Sequence, residues 1–237
     1  MSPDAGPAAD AAPTAAAEAA LDWVRDGMKL GLGTGRAATA FVRALGARVA
    51  EGLSVTGVPT SEATAALARE LRIPLARLEE VERLDVTFDG ADEVDPALDL
   101  IKGYGAAMVR EKIVAASSDQ LVILVGPEKL VEALGQRGRL PVEVVPFGEA
   151  LVRRRLAGLG LDATRRLDER SEPVVTDNGN WILDAKLDPP LAPGAAELEA
   201  AIAAMPGVLG TGFFLGMADA VIIGSGREVE VRRAERR

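Results

Sequence analysis

Five carboxylates and a lysine stand out among the ionisable side chains within 23 residues of this sequence: Asp89, Asp92, Glu93, Asp95, Lys102 and Glu111. The chain has no histidine and no cysteine, so acid–base work falls to Asp, Glu, Lys, Tyr or a terminus. The same absence removes thiolate nucleophiles, Ser-His-Asp triads, disulfides and histidine-ligated zinc. Carboxylates followed by a lysine and one further carboxylate suffice for proton transfer. Glu111 is the most telling of them. At helical spacing it shares a face with the apolar Met108 and Ala115, while Val109, Ile113 and Ala116 form an apolar stripe elsewhere. A glutamate on an apolar face becomes more basic, because burial penalises its charged form.

The acidic run admits other uses. A Mg²⁺ site built from one or two of these acids and a plain acidic surface loop are both compatible with it. An EF-hand is not, because the acids do not alternate towards a glycine. Gly90-Ala91 leaves little bulk between Asp89 and Asp92, which suits close approach to the backbone. Gly103 and Gly105 open the loop after Lys102 in the same way.

These residues need elements to hold them. Leu84 to Phe88 has the β-branched and aromatic content of a buried strand, and the carboxylates stand at its C-terminal end. Open α/β sheets bind ligands at that end. Upstream, Met28 to Leu32 predicts a strand, Gly31-Leu32-Gly33-Thr34-Gly35 a turn, and Arg36 to Leu45 a helix. That order sets backbone N–H groups and a helix dipole against phosphate. It departs from the dinucleotide fingerprint at Arg36, lacks a P-loop lysine, and equally suits a plain tight turn. Leu53 to Val58 predicts another strand, and Thr60 or Ser61 the N-cap of a helix running to Leu71; these hydroxyls suit capping, anion binding or both. With Leu121 to Val125, the βα series implies a parallel sheet covered by helices.

The character changes near Leu134. Strands at 142–145, 163–167, 173–176, 181–186 and 207–211, with helices at 149–158 and 195–205, predict a ferredoxin-like β-α-β-β-α-β unit. Asn178-Gly179 is a hairpin signal. Ala218 to Gly224 predicts a strand returning to the first sheet, and the last eleven residues a charged tail. The expected division is a flexible tail at 1–13, a Rossmann-like α/β domain at 14–137 and 208–237, and an α+β lid at 138–207. A net charge of -9 argues against general nucleic-acid binding and anionic membranes. No apolar run can span a bilayer, and the N-terminus lacks the charged and apolar regions of a secretory signal. The cytoplasm is the expected compartment.

FDGADEVDP at 88–96 and KGYGAAMVREKIVA at 102–115 resemble the type A ribose-5-phosphate isomerase family. GLGTG at 31–35, LPVEVVPF at 140–147, TDNGN at 176–180 and ADAVIIG at 218–224 fit in the same order, and the likeness runs from Ala17 to Gly224. The resemblance implies an α/β domain with an inserted lid and a homodimer or dimer of dimers. It implies no cofactor and no metal, and a small phosphorylated pentose as substrate. By motif position it makes Glu111 the base and Asp89, Asp92 and Lys102 the other catalytic groups. Gly90, Ala91, Gly103, Tyr104 and Gly105 would border the sugar. Thr34, Gly35, Arg36, Ala37 and Lys129 would face the phosphate. In this assignment Asp92 orients Lys102, and Asp89 opens the ring or shuttles the hydroxyl proton. The chain departs from the family's usual pattern at four places. Arg36-Ala37 stand for Ser-Thr, Tyr104 for a glycine and Gly126 for a frequent aspartate, and an N-terminal lysine has no counterpart. A non-catalytic sugar-phosphate sensor on a related fold and a Mg²⁺-dependent phosphotransferase are the competing readings. The retained base and lysine favour an enzyme over a sensor, and the missing P-loop lysine disfavours a phosphotransferase.

Overall fold

Strand and helix alternate from the start of the computed structural model, which describes residues 15–192 and 194–234; the tail expected at 1–13 lies outside them. The first half contributes α1 (Ala15–Ala20), β1 (Lys29–Leu32), α2 (Arg36–Ala50), β2 (Thr56–Pro59), α3 (Glu62–Glu70) and β3 (Val86–Gly90). The short strands β4 (Glu93–Val94) and β5 (Leu100–Ile101), then α4 (Met108–Ala116) and β6 (Leu121–Val125), follow. The second half contributes β7 (Arg139–Val144), α5 (Glu149–Gly158), β8 (Ala163–Arg165), β9 (Trp181–Lys186), α6 (Ala195–Ala203) and β10 (Val208–Thr211). The chain closes with β11 (Phe213–Phe214), β12 (Ala220–Ser225) and β13 (Glu228–Arg233).

The main sheet has the order β13-β12-β6-β3-β1-β2. Every pairing from β2 to β12 is parallel, and only β12–β13 is antiparallel. All five residues of β6 are buried, as expected of a strand covered on both faces. On one side Phe41 of α2 packs on Phe88 of β3, with ring centroids 4.3 Å apart. On the other, Met108 of α4 and Phe214 of β11 pack against Ile123 of β6.

The charged tail expected at the C-terminus is instead an edge strand over Glu228–Arg233. Val229 and Val231 alternate with charged residues there, and the apolar β12 otherwise lacks a partner on that side. At the opposite edge, Gly57 of β2 donates to the Pro74 carbonyl at 2.8 Å and accepts from Ala76 N–H at 3.0 Å, so the loop at 74–76 covers it.

The second sheet has the order β10-β7-β9-β8, all antiparallel, with α5 and α6 in the connections of a β-α-β-β-α-β unit. It takes in Val208–Thr211, four residues past the expected boundary at 207. The strand expected at 173–176 is absent as a ladder. Only isolated bridges join Leu167 to Pro173 and Val175 to Trp181. Pro173 has no N–H to give, and Thr176 turns its hydroxyl inward to Glu143 at 2.9 Å. The fold is α/β Rossmann-like with a lid.

Candidate active site

The strand order β2-β1-β3-β6 reverses direction between β1 and β3. Parallel sheets open a crevice at such a point, beyond the C-terminal ends of the strands. The loop after β1 and the acidic loop after β3 flank it. Their contact is close: a Cβ on Gly33 would lie 2.3 Å from Asp89 Oδ1 and 2.6 Å from the Phe88 carbonyl. Gly33 N–H bonds that carbonyl at 2.9 Å. The glycine of this turn is therefore required by packing against β3.

Asp89 Oδ1 accepts the N–H groups of Gly90 at 2.7 Å and Thr34 at 3.2 Å. Its Oδ2 lies 3.1 Å from Lys102 Nζ, which lies 3.1 Å from Glu111 Oε2 and donates to the Gly90 carbonyl at 2.6 Å. Asp89, Lys102 and Glu111 are 1%, 3% and 4% exposed. Two carboxylates and one ammonium in a buried site leave one negative charge unbalanced. Burial first, and then the charge of Asp89, push Glu111 up to about 8 against the pull of Lys102. Burial also raises Asp89, opposed by Lys102 and by its two backbone donors. Those donors favour its ionised form, so Glu111 is the carboxyl that holds the proton near neutrality. Burial alone would lower Lys102, but Asp89 and Glu111 outweigh it and hold the ammonium above its ordinary range.

The helix carrying Glu111 is turned as its chemistry requires. Met108, Glu111, Val114 and Ala115 face inward. Of the other stripe, Ile113 (49% exposed) and Ala116 face solvent, while Val109 is half-buried against the cluster around Ile123 and Phe214. Lys102 compensates the buried glutamate, and this makes the mixed face the inner one.

The four acids of the loop after β3 go to four separate tasks. Asp89 takes Lys102. Asp92 Oδ2 accepts Tyr104 N–H at 2.9 Å, and its Oδ1 lies 3.9 Å from Lys129 Nζ. Glu93 accepts the N–H groups of Gly135 at 2.6 Å and Arg137 at 2.7 Å. Asp95 caps its own turn through the N–H groups of Ala97 and Asp99. The expectation that Asp92 orients Lys102 is thus corrected: Asp89 and Glu111 hold the ammonium, and Asp92 holds the backbone of the glycine loop.

A cavity of about 500 Å³ lies above this cluster, within the usual range of small-ligand sites. Its lining includes Thr34, Gly35, Arg36, Ala37, Gly90, Ala91, Asp92, Lys102, Gly103, Gly105, Glu111 and Lys129. Asp89 supports the wall from beneath. Tyr104, expected at the sugar, is not among the lining residues, because its side chain turns away to Arg139. Its ring packs 3.9 Å from the Arg139 guanidinium, and its O–H donates to the Arg139 carbonyl at 3.4 Å.

The first helical turn of α2 has no capping side chain, and Gly35 precedes it at φ 97°. Its N–H groups are free to meet an anion. Burial lowers Lys129, Asp92 opposes this, and the positive charge of Arg36 adds to the lowering. The Thr34 hydroxyl is already engaged, by Thr60 at 2.7 Å and Ser61 at 2.8 Å. Ser61 caps α3 by accepting Thr64 N–H at 3.1 Å. The hydroxyls after β2 therefore cap the helix and brace the loop after β1, and neither Thr60 nor Ser61 borders the cavity.

Sequence patterns did not disclose a contact behind this site. Arg110, next to Glu111, bonds Glu62 of α3 and Asp177 and Asn178 of the hairpin at 176–180. The hairpin signal was legible, but its docking partner lies more than sixty residues away.

The model of the family described as ribose 5-phosphate isomerase A (phosphoriboisomerase A) matches residues 56–228. A ribose-5-phosphate isomerase A of Roseiflexus castenholzii is 54% identical over 210 residues, covering 88% of this chain and 89% of that protein. The structure of ribose 5-phosphate isomerase A from Methanocaldococcus jannaschii superposes with a TM-score of 0.86 at 42% identity, over 92% of this chain and 96% of that one. A D-ribose-5-phosphate isomerase in complex with phospho-erythronic acid matches with a TM-score of 0.86 at 39% identity over the same shares. With a family model over most of its length, a relative at 54% identity and this fold around a buried glutamate and lysine, the chain belongs to the ribose 5-phosphate isomerase A family.

Proposed function

We propose that the chain interconverts D-ribose 5-phosphate and D-ribulose 5-phosphate with Glu111 as the base. The observation that carries this is the buried Glu111 carboxylate at the cavity wall, 3.1 Å from Lys102 Nζ. Glu111 takes the proton from C2 of the open-chain aldose. The C–H electron pair becomes the C1–C2 double bond of an ene-diolate, and O1 gains a proton. Glu111 returns its proton to C1 on the same face while O2 loses its own and becomes the ketone. Lys102 stabilises the oxyanion with a fixed charge in a water-poor site. Asp92 borders the cavity and Asp89 does not, so the hydroxyl proton between O1 and O2 is assigned to Asp92. Asp89 is assigned to holding Lys102. Mixing the protein with ribose 5-phosphate and following ribulose 5-phosphate tests the activity. No metal takes part in this scheme, so turnover should persist in excess EDTA; a loss reversed by Mg²⁺ or Mn²⁺ would overturn it.

The phosphate is assigned to the N-terminus of α2, with Arg36 and Lys129 as flanking cations. Arg36 presents a charged fork where a hydroxyl would be usual, and forks suit phosphate. Arg36→Ala should lower kcat/KM for ribose 5-phosphate about 10- to 100-fold, the range for a hydrogen bond to a charged group. Activity on unphosphorylated ribose should hardly change. An equal loss on both sugars, or none on the phosphate ester, would assign the phosphate to Lys129 and the backbone.

A homodimer or dimer of dimers in the cytoplasm completes the proposal. The fully exposed Phe147, beside the exposed Val145 and Leu151, supports a protein contact on the lid. Among the described residues no helix is long and apolar enough to cross a membrane. We also propose 14–137 with 212–237 as the catalytic domain and 138–211 as the lid, following the two sheets.

A further inference from the structure

Two cations flank Glu111 in α4, and the lid grips both. Lys112 Nζ donates to Glu199 Oε1 of α6 at 3.0 Å and lies 5.0 Å from the Phe214 ring centroid. Arg110 is held more completely. Its Nε donates to Asn178 Oδ1 at 2.9 Å, Nη2 to the Asp177 carbonyl at 2.9 Å, and Nη1 to Glu62 Oε1 at 3.0 Å. Asp177 Oδ2 closes the junction by accepting Glu62 N–H at 2.8 Å.

The hairpin that receives Arg110 is fixed from below. Glu143 of β7 is wholly buried. Its Oε1 accepts from Thr176 Oγ1 at 2.9 Å, Asn178 Nδ2 at 3.2 Å and Asn180 Nδ2 at 2.9 Å. At its other side the junction holds the first turn of α3. The base helix, by contrast, has little of its own to fix it. It is nine residues long, and Ala107 offers no capping side chain. Short helices owe their position to tertiary ties. None of Arg110, Glu62, Asp177 and Asn178 borders the cavity.

We propose that Arg110 is a positioning residue, whose guanidinium clasps the lid hairpin and the start of α3 and so sets Glu111 against the substrate carbons. The proposal rests on Glu111 being the base. An ordinary surface ion pair would contribute little. A planar fork satisfying three acceptors on two other segments is a geometric constraint, which a single ammonium cannot reproduce.

The test measures kcat, KM and thermal midpoint for Arg110→Ala, Arg110→Lys and Asn178→Ala, with Glu111→Gln alongside and, as a control, Arg83→Ala, which breaks an exposed ion pair with Asp119 away from the cavity. Misplacing a catalytic group by about 1 Å costs up to about 100-fold. Arg110→Ala should therefore lose about 10- to 100-fold in kcat with KM within about twofold, because the phosphate end is untouched. Arg110→Lys should stay within about threefold of the alanine variant, and Asn178→Ala should fall in the same direction. Arg83→Ala should match wild type. A kcat within threefold of wild type, a rise in KM alone, full rescue by lysine, or a loss that vanishes on cooling below the unfolding range would each overturn the clasp. If Arg110→Ala does not fold, Asn178→Ala is read by the same criteria. Glu111→Gln keeps the two readings apart. An active Glu111→Gln removes the base assignment itself, whereas an inactive one beside a normal Arg110→Ala removes only the clasp.

Discussion

Glu111→Gln should lower kcat at least about 100-fold, the low end for loss of a general base. The amide keeps the shape of the side chain and its place beside Lys102 but cannot accept the C2 proton. The wild-type pH profile provides a second check. A base must be deprotonated to act, and burial together with Asp89 pushes Glu111 up to about 8. kcat/KM, which reports the free enzyme, should therefore rise with pH through about 8 and level off above it. Residual turnover in the glutamine variant should lack that limb. Near-normal turnover would place the base elsewhere, with Asp92, which also borders the cavity, the first to test. A wild-type profile flat from pH 6 to 9 would remove the perturbed carboxyl from the mechanism.

Lys102→Met should do more damage, on two counts. Asp89 and Glu111 each lie 3.1 Å from the ammonium and are buried with it. Removing one member of a buried ionic cluster costs about 3–5 kcal/mol, because the remaining charges lose their partner. A chain of this size then melts about 6–20 °C lower. Catalysis loses the oxyanion's counter-charge, worth about 10²–10³ in kcat. It also loses part of the base, since without Lys102 Glu111 holds its proton more tightly. A fall of about 1,000-fold or more is expected. Adding Asp89→Asn removes the stranded charge, so the double variant should regain melting temperature without regaining activity. Unchanged stability in the single variant, or activity returning with stability in the double, would contradict this account of the cluster.

The parts of this site that were legible in the sequence are those whose signal is local. Carboxylates at the end of an apolar strand, glycines where backbone must approach, and a glutamate among apolar helical neighbours each carry their meaning within a few residues. The five parallel strands of the main sheet follow from such signals, whereas the edge strand β13 does not. The division of labour among the acids does not. Asp89 and Asp92 are alike in type and differ only in what faces them: Lys102 in one case, the Tyr104 N–H in the other. Two faces of α4 carry apolar residues, and only the contact of Glu111 with Lys102 shows why the mixed one is buried. Pro173 removed a strand that composition favoured. Arg110 carries no local signal of its contacts, because the hairpin residues it bonds lie 67 and 68 residues further along the chain.

The treatment of the two sheet borders bears on how the protein behaves at high concentration. A six-stranded sheet offers two rows of unsatisfied backbone groups on which a second molecule can propagate strands. Here the loop at 74–76 occupies one row. A strand bearing Glu228, Glu230, Arg232 and Arg233 occupies the other. Behind that strand lies AVIIGS, an apolar β-prone stretch of the kind that seeds intermolecular stacking when bared. The strand Glu228–Arg233 thus shields the sheet from intermolecular pairing, remote from catalysis, and trimming it would favour precipitation before it slowed turnover.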